Sequence, residues 1–159
     1  MTDDTDFRIL SLLQADARTS NAEIARRVGM VPSGIFERLR KLEERGLIRA
    51  YETRLDPKPL GLGLLAFVFV RAEERVGAPA TGEALAAIPE VLEVHHVAGE
   101  DCYLAKVRAA DTEALGRLLR EGFGAIATVR STRTTIVLST VKETARLPLP
   151  APRLEATNV

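Results

Sequence analysis

The chain has 159 residues, 46% of them apolar, and 22 Lys/Arg balance 22 Asp/Glu. That length suits one ordinary domain or two small ones, and the apolar fraction excludes wholesale disorder. A formal net charge of zero gives no global attraction for a polyanion, and with 4% aromatics and no Trp any core must be aliphatic.

The zero average hides a gradient. Residues 17–54 carry nine Arg/Lys against five Asp/Glu, whereas residues 55–141 carry nine against eleven. Local charge decides whether a surface meets phosphate, so the N-terminal third is the candidate contact region. Cys102 is the single cysteine, which excludes an intrachain disulfide and suits a reducing cytoplasm. The acidic start, Met-Thr-Asp-Asp, leads into no signal-type run, and the longest apolar stretch, 61–70, is too short to cross a bilayer. The expected location is therefore the cytoplasm, with no membrane partner.

In chain order, Ile9, Leu10 and Leu13 fall at helical spacing and predict a helix over 6–15. Ser20-Asn21-Ala22-Glu23 reads as a capping box opening a second helix, with Ile24, Ala25 and Val28 inward and Gly29 as its left-handed stop. Pro32 suits the first turn of a third helix running to about Arg45, with Ile35, Leu39 and Leu42 inward and Gly46 after it. Residues 47–56 alternate in a β-like way and predict a strand pair or wing, and Asp56-Pro57-Lys58-Pro59 reads as a linker. Beyond it come a strand at 64–70, a helix at 81–88 ended by Pro89, a strand at 91–98, a tight turn at Gly99-Glu100-Asp101 and a strand at 102–109. A helix capped by Asp111 and a long strand at 128–142 complete the series. The order β-α-β-β-α-β is the ferredoxin-like split unit, so the expected class is α+β. The domains are then 1–54, a linker at 55–61, 62–143, and a Pro-rich tail at 144–159 that is extended or disordered.

The first strand, Leu64 to Val70, is apolar on both sides, which implies cover on both faces of its sheet. A single domain of this kind has one helical layer. A second copy packing sheet against sheet supplies the other, with Val68 and Phe69 as the expected contact positions.

Helices two and three, joined by Gly29-Met30-Val31, have helix-turn-helix spacing, which places the third in a DNA major groove. Opposite its apolar stripe lie Ser33, Glu37, Arg40, Lys41 and Glu44, with Arg38 at the flank and a gap at Gly34 that admits close approach. Arg and Lys bond phosphates or guanine edges, Ser33 bonds either, and Glu37 accepts from a cytosine amine. Amides near Ser20 and Asn21, at the start of helix two, are candidate phosphate contacts, as are Arg26, Arg27, Arg49 and Arg54. The competing reading is a packing module whose charged helix face is merely solvated.

The runs Thr5–Gln14, Arg18–Ala25, Glu37–Ile48, Leu55-Asp56-Pro57 with Leu60-Gly61, Pro89–Glu93, Val97–Leu104 and Val129–Thr134 together resemble the Lrp/AsnC (feast/famine) family of transcriptional regulators. The resemblance covers nearly everything from Thr5 to Glu143. It implies a winged helix-turn-helix that binds double-stranded DNA. It also implies a sensing domain that dimerises, assembles to octamers or higher, and binds an amino acid or related metabolite between dimers. Carried onto this chain, the effector loop is Gly99, Glu100, Asp101, Cys102 and Tyr103, with His95 before it and Thr134, Thr135 and Ile136 on the last strand as neighbours. Turn amides at Gly99 suit a carboxylate, and Glu100 or Asp101 an ammonium. The chain departs from the family pattern at Val31, where a Ser/Thr cap is common, at Glu37, where a base is frequent, and at Cys102, where Asp is common.

Plainer readings stand beside these. His95 and His96, adjacent in a strand, point to opposite faces and do not share a metal; His96 reads as a core or interface histidine. Cys102 reads as a small packing residue, Tyr103 as pocket or core, and Glu100 and Asp101 as solvated turn residues. No metal-ligand cluster, nucleophile–base set or phosphate loop is present, so no cofactor and no enzymatic activity is expected. Two alternatives remain open: a tetrapyrrole-binding enzyme resembling siroheme decarboxylases, using His95-His96, and an effector-independent DNA-organising protein.

Overall fold

The computed structural model of the chain describes residues 2–75 and 78–150. Among the described residues two compact units emerge: 2–54 together with 143–150, and Leu55–Lys142. The expectation for residues 151–159 lies outside the described residues.

The first unit holds three helices: α1 (Asp4–Ala15), α2 (Asn21–Val28) and α3 (Pro32–Glu44). Helix α1 starts two residues earlier than its apolar spacing predicts, because Asp3 caps it. The Asp3 carboxylate accepts the Asp6 amide at 2.8 Å, and the Asp6 carboxylate accepts the Asp3 amide at 3.2 Å. Two aspartates thus build a capping box without its usual Ser/Glu signature. At α2 only half of the expected box forms. Ser20 Oγ accepts the Glu23 amide at 3.2 Å, but the Glu23 carboxylate turns to Arg26 and Arg27, both at 2.6 Å. A charged donor outcompetes a neutral amide for a carboxylate. Gly29, at φ 75°, ends α2 in the left-handed region open to glycine. Ile9, Ile24, Ile35 and Leu42 are essentially fully buried, and Ala25, Val28 and Leu39 complete the core.

The strand pair expected over 47–56 does not form; this segment carries neither helix nor strand and is mostly exposed. Its alternation is real, but a strand needs a partner, and none of the described residues pairs with it. Residues 143–150 are likewise without regular structure, yet they are held. The Gln14 side chain accepts the Leu147 amide at 2.6 Å and donates to the Leu147 carbonyl at 3.1 Å. The Arg146 guanidinium donates to the Ala15 carbonyl at 3.1 Å, satisfying an end-of-helix acceptor of α1.

The second unit holds β1 (Leu64–Ala72), α4 (Ala80–Ala86), β2 (Val91–His96), β3 (Tyr103–Ala109), α5 (Thr112–Arg117) and β4 (Val129–Ile136). The sheet is antiparallel in the order β2-β3-β1-β4, as the ferredoxin-like pattern requires. Asp111 caps α5 by accepting the Ala114 amide at 2.7 Å. The helix then widens into a π turn (Leu118–Gly122) and tightens into a 3-10 turn (Phe123–Ala125), seating Phe123 in the core. Strand β4 stops well short of the expected residue 142. Its last rung, the Val137 amide on the Leu65 carbonyl at 2.9 Å, lies where β1 begins, so nothing remains to pair with.

Ala66, Val68 and Val70 of β1 face the helices with Ala105 and Val107 of β3, over Leu85, Leu115 and Phe123. The other face carries Phe67 and Phe69, half-buried, flanked through the register by Lys106, Leu104, Thr135 and Arg133. The expectation that Val68 and Phe69 together form a contact surface is therefore corrected. Val68 is 0% exposed inside the monomer core, and only Phe69 looks outward from the helices.

Candidate nucleic-acid interface and ligand loop

Helix α3 buries Ile35, Leu39 and Leu42, so the 3.6-residue period turns Ser33, Phe36, Glu37, Arg40 and Lys41 outward. Its charges are internally paired. Arg40 donates to Glu37 at 2.7 and 3.1 Å and also pairs with Glu44, and Lys41 Nζ lies 3.4 Å from Glu37. The Arg40 guanidinium holds the Glu37 carboxyl at a pKa of about 2, and Glu37 in turn raises that of Arg40. Val31, the N-cap, makes no side-chain cap bond. An added Cβ at Gly34 would lie 3.0 Å from Met30 Cε, so the gap there is already partly filled from within the chain.

Arg38 stands apart from that face. Its Nη1 donates to Asp3 at 2.8 Å and to Asp6 at 2.7 Å, tying α3 to the cap of α1. Asp6 is buried, so this is a structural pair as well as a surface one. At α2, Ser20 is occupied as the cap and Asn21 begins the helix. Arg26 and Arg27 share Glu23, whose carboxyl the Arg26 guanidinium and then the Arg27 guanidinium hold at a pKa of about 2.

In the second unit, β2 and β3 are joined by a loop closed by the Val97 amide on the Cys102 carbonyl at 2.9 Å, with Gly99 at φ 140°. Asp101 takes Arg133 of β4 at 2.9 Å, and the Arg133 guanidinium lies 4.0 Å over the Phe69 ring. Asp101 is thus engaged by a cation of its own chain. Cys102 is half-buried, its thiol 3.5 Å from the Ala72 carbonyl. His95, on the face away from the helices, lies 3.3 Å from Glu93, which also takes Lys106 at 3.0 Å.

Thr134 and Ile136 alternate with Thr135 across β4: the first two face the helix side and Thr135 the other. Strands β3 and β1 separate β4 from β2. A single chain therefore brings Asp101 to β4 through Arg133, but it does not place Thr134, Thr135 and Ile136 around His95 and Gly99.

Sequence spacing gave no sign of one cluster. The Tyr103 ring is buried and its hydroxyl donates to Glu74; Glu74 also accepts from Thr81 Oγ1 at 2.8 Å, and Thr81 meets Thr128 at 2.7 Å. The Glu74 carboxylate, then burial, pushes the Tyr103 phenol up to about 12. Of the two readings expected for His96, core or interface, the single chain excludes the core one. It is exposed, with its ring 5.1 Å from that of Tyr103, and both line an open cleft of about 410 Å³ with Pro79, Gly82, Glu83 and Val94. A Cβ at Gly82 would lie 2.9 Å from Tyr103 Cε1, so the ring sits there because residue 82 has no side chain.

Residues 65–147 match the Lrp/AsnC ligand binding domain, and residues 2–49 match a winged helix-turn-helix DNA-binding family. The chain is 36% identical over 147 residues to an HTH-type transcriptional regulator of Pyrococcus horikoshii, spanning 92% of this chain and 96% of that one. It is 39% identical over 149 residues to the leucine-responsive regulatory protein of Escherichia coli, spanning 91% and 90%. Among solved structures, a Neisseria meningitidis transcriptional regulator in complex with L-methionine superposes with a TM-score of 0.85 at 32% identity, covering 93% of this chain and 97% of that one. A feast or famine regulatory protein from M. tuberculosis, complexed with L-methionine, gives 0.86 at 35%, covering 94% and 100%. With both halves matched in order and whole-length relatives above 30% identity, the chain belongs to the Lrp/AsnC family of transcriptional regulators.

Proposed function

We propose that the chain regulates transcription by inserting α3 into the major groove of its operator and that an amino acid controls this activity or the assembly that performs it. The observation that carries the reading is the outward face of α3, which stays uncovered within its own unit and presents Arg40 and Lys41. Ser33, Glu37, Arg40 and Lys41 are the groups assigned to the duplex, Gly34 keeps the helix start slim, and the amides at Ser20 and Asn21 meet phosphate. Arg38 contributes by holding α3 against α1.

The half-buried Phe67–Phe69 face is assigned to a second copy, giving a dimer that assembles further, to an octamer or higher. The loop Gly99–Tyr103 with His95 forms one wall of the effector site; Thr134, Thr135 and Ile136 of a neighbouring copy form another, which explains their separation within one chain. Relatives crystallised with L-methionine support an amino-acid effector. A cytoplasmic, nucleoid-associated location follows from this role. The relatives named above are regulators rather than enzymes, so the tetrapyrrole-enzyme alternative gains no support from them.

The test is a gel shift on the DNA upstream of the chain's own gene, with and without each amino acid, across a salt series. Retarded complexes whose affinity or size changes with one amino acid are expected. Binding that ignores every amino acid would leave the effector-independent architectural role.

A further inference from the structure

The chain has five phenylalanines, and four are buried or half-buried. Phe36 is 62% exposed, and it stands on the outward face of α3, one turn from Ser33 on one side and from Arg40 on the other. Val31, the N-cap of the same helix, is 65% exposed. An apolar edge therefore leads a face that is otherwise polar. Nothing in the helical core requires an aromatic there, since Ile35, Leu39 and Leu42 already fill the stripe.

The cations of this face are poorly placed to read bases by themselves. Arg40 is spanned by Glu37 and Glu44, and Lys41 leans on Glu37, with both cations in the C-terminal half of the helix. In a helix-turn-helix the N-terminal residues of the second helix reach the base edges. In this chain those residues are Ser33, Phe36 and Glu37. In the major groove the one apolar feature of a base pair is the C5-methyl of thymine, and a Phe side chain is a suitable partner for it.

We infer that Phe36 reads sequence by packing against a thymine methyl group of the operator. The inference rests on the proposed insertion of α3 but adds a base-reading residue and the chemical group it recognises. The Glu37 pairs leave the apolar contact to carry discrimination, because ionic contacts to phosphate are sequence-independent.

The test uses a duplex selected by the wild-type chain from a random library, and a copy in which every thymine is replaced by uracil, which removes only the methyl. Wild-type protein is expected to bind the uracil copy about fourfold more weakly for each methyl contacted, the worth of one buried methylene. Phe36→Ala is expected to bind both duplexes with equal, reduced affinity, and Phe36→Leu to retain part of the difference. Wild-type binding that is indifferent to the methyls, with Arg40→Ala/Lys41→Ala still weakened, overturns the role of Phe36 while leaving the helix in the groove. Unchanged binding by both Phe36→Ala and Arg40→Ala/Lys41→Ala overturns the insertion itself. A change in mass by light scattering for Phe36→Ala, without a change in DNA affinity, reassigns the side chain to contact between copies.

Discussion

Replacing Arg38 by Ala tests the division of labour on α3. The guanidinium makes two charge-assisted bonds from one nitrogen, to Asp3 at 2.8 Å and to Asp6 at 2.7 Å. The Asp3 bond sits at a side chain 53% exposed, where solvent screening leaves little net stabilisation. The Asp6 bond differs: that carboxylate is 8% exposed, and losing the cation leaves it buried with only the Asp3 amide at 3.2 Å. Hydrogen bonds to charged groups are worth about 1.5–3 kcal/mol, and Arg38 is itself 31% exposed, so a loss of about 2 kcal/mol is expected. Urea unfolding followed by circular dichroism reads it. Asp6→Asn alone and combined with Arg38→Ala closes a cycle whose coupling is expected to reach about 1 kcal/mol or more. DNA affinity, measured where both proteins are fully folded, is expected to change little. A stable Arg38→Ala protein with sharply weakened, less salt-sensitive DNA binding would refute the structural assignment and return Arg38 to the phosphate-contacting set.

Other consequences are equally open to measurement. Arg40→Ala/Lys41→Ala is expected to lower affinity for all DNA and to reduce the salt slope by about 2, as read by titration across a salt series. Glu37, held near 2 by Arg40, keeps its pairing contribution in full above the ordinary carboxylate range and loses it only as pH falls toward 2. Carboxyl NMR should show that midpoint, and it should return toward 4.5 in Arg40→Ala/Lys41→Ala. Tyr103 is raised to about 12, so its bond to Glu74 stabilises the fold in full below the unfolded phenol pKa of about 10 and is lost as pH rises through about 12. In Glu74→Gln, ultraviolet titration should find one tyrosine moved down toward 10; an unmoved curve would contradict the Tyr103–Glu74 bond. Phe69→Asp is expected to lower the mass seen by light scattering while leaving a folded monomer, whereas Val68→Asp should unfold the second unit.

Much of the architecture was legible because it follows from short-range rules. The Ile35/Leu39/Leu42 stripe, Pro32 at a helix start and Gly29 at a stop are local signals, and each sits where its chemistry requires. The β-α-β-β-α-β order likewise fixed the sheet topology. What stayed hidden depends on partners distant in the chain. The alternation at 47–56 gives no information about whether a partner strand exists. Arg38 looked like any flank arginine, because its partners lie 35 and 32 residues away. Between core and interface, the alternation could not decide for His96; β2 is an edge strand and α4 ends at Ala86, which leaves that edge open and takes the side chain out of the core. Phe36 drew no notice beside the charged positions of its face, and its exposure is seen only in the structure.

The hold of Gln14 on Leu147 spans 133 residues of sequence. Such a contact forms only when both segments have been made, and closing so long a loop carries an entropic cost that nearby helix contacts do not face. The three N-terminal helices can therefore assemble early during synthesis, whereas the attachment of residues 143–147 waits for the α/β unit to be made. Truncating the last dozen residues would spare that attachment; removing a few more would erase it, leaving the end of α1 bare while the rest of the helical trio keeps its interior.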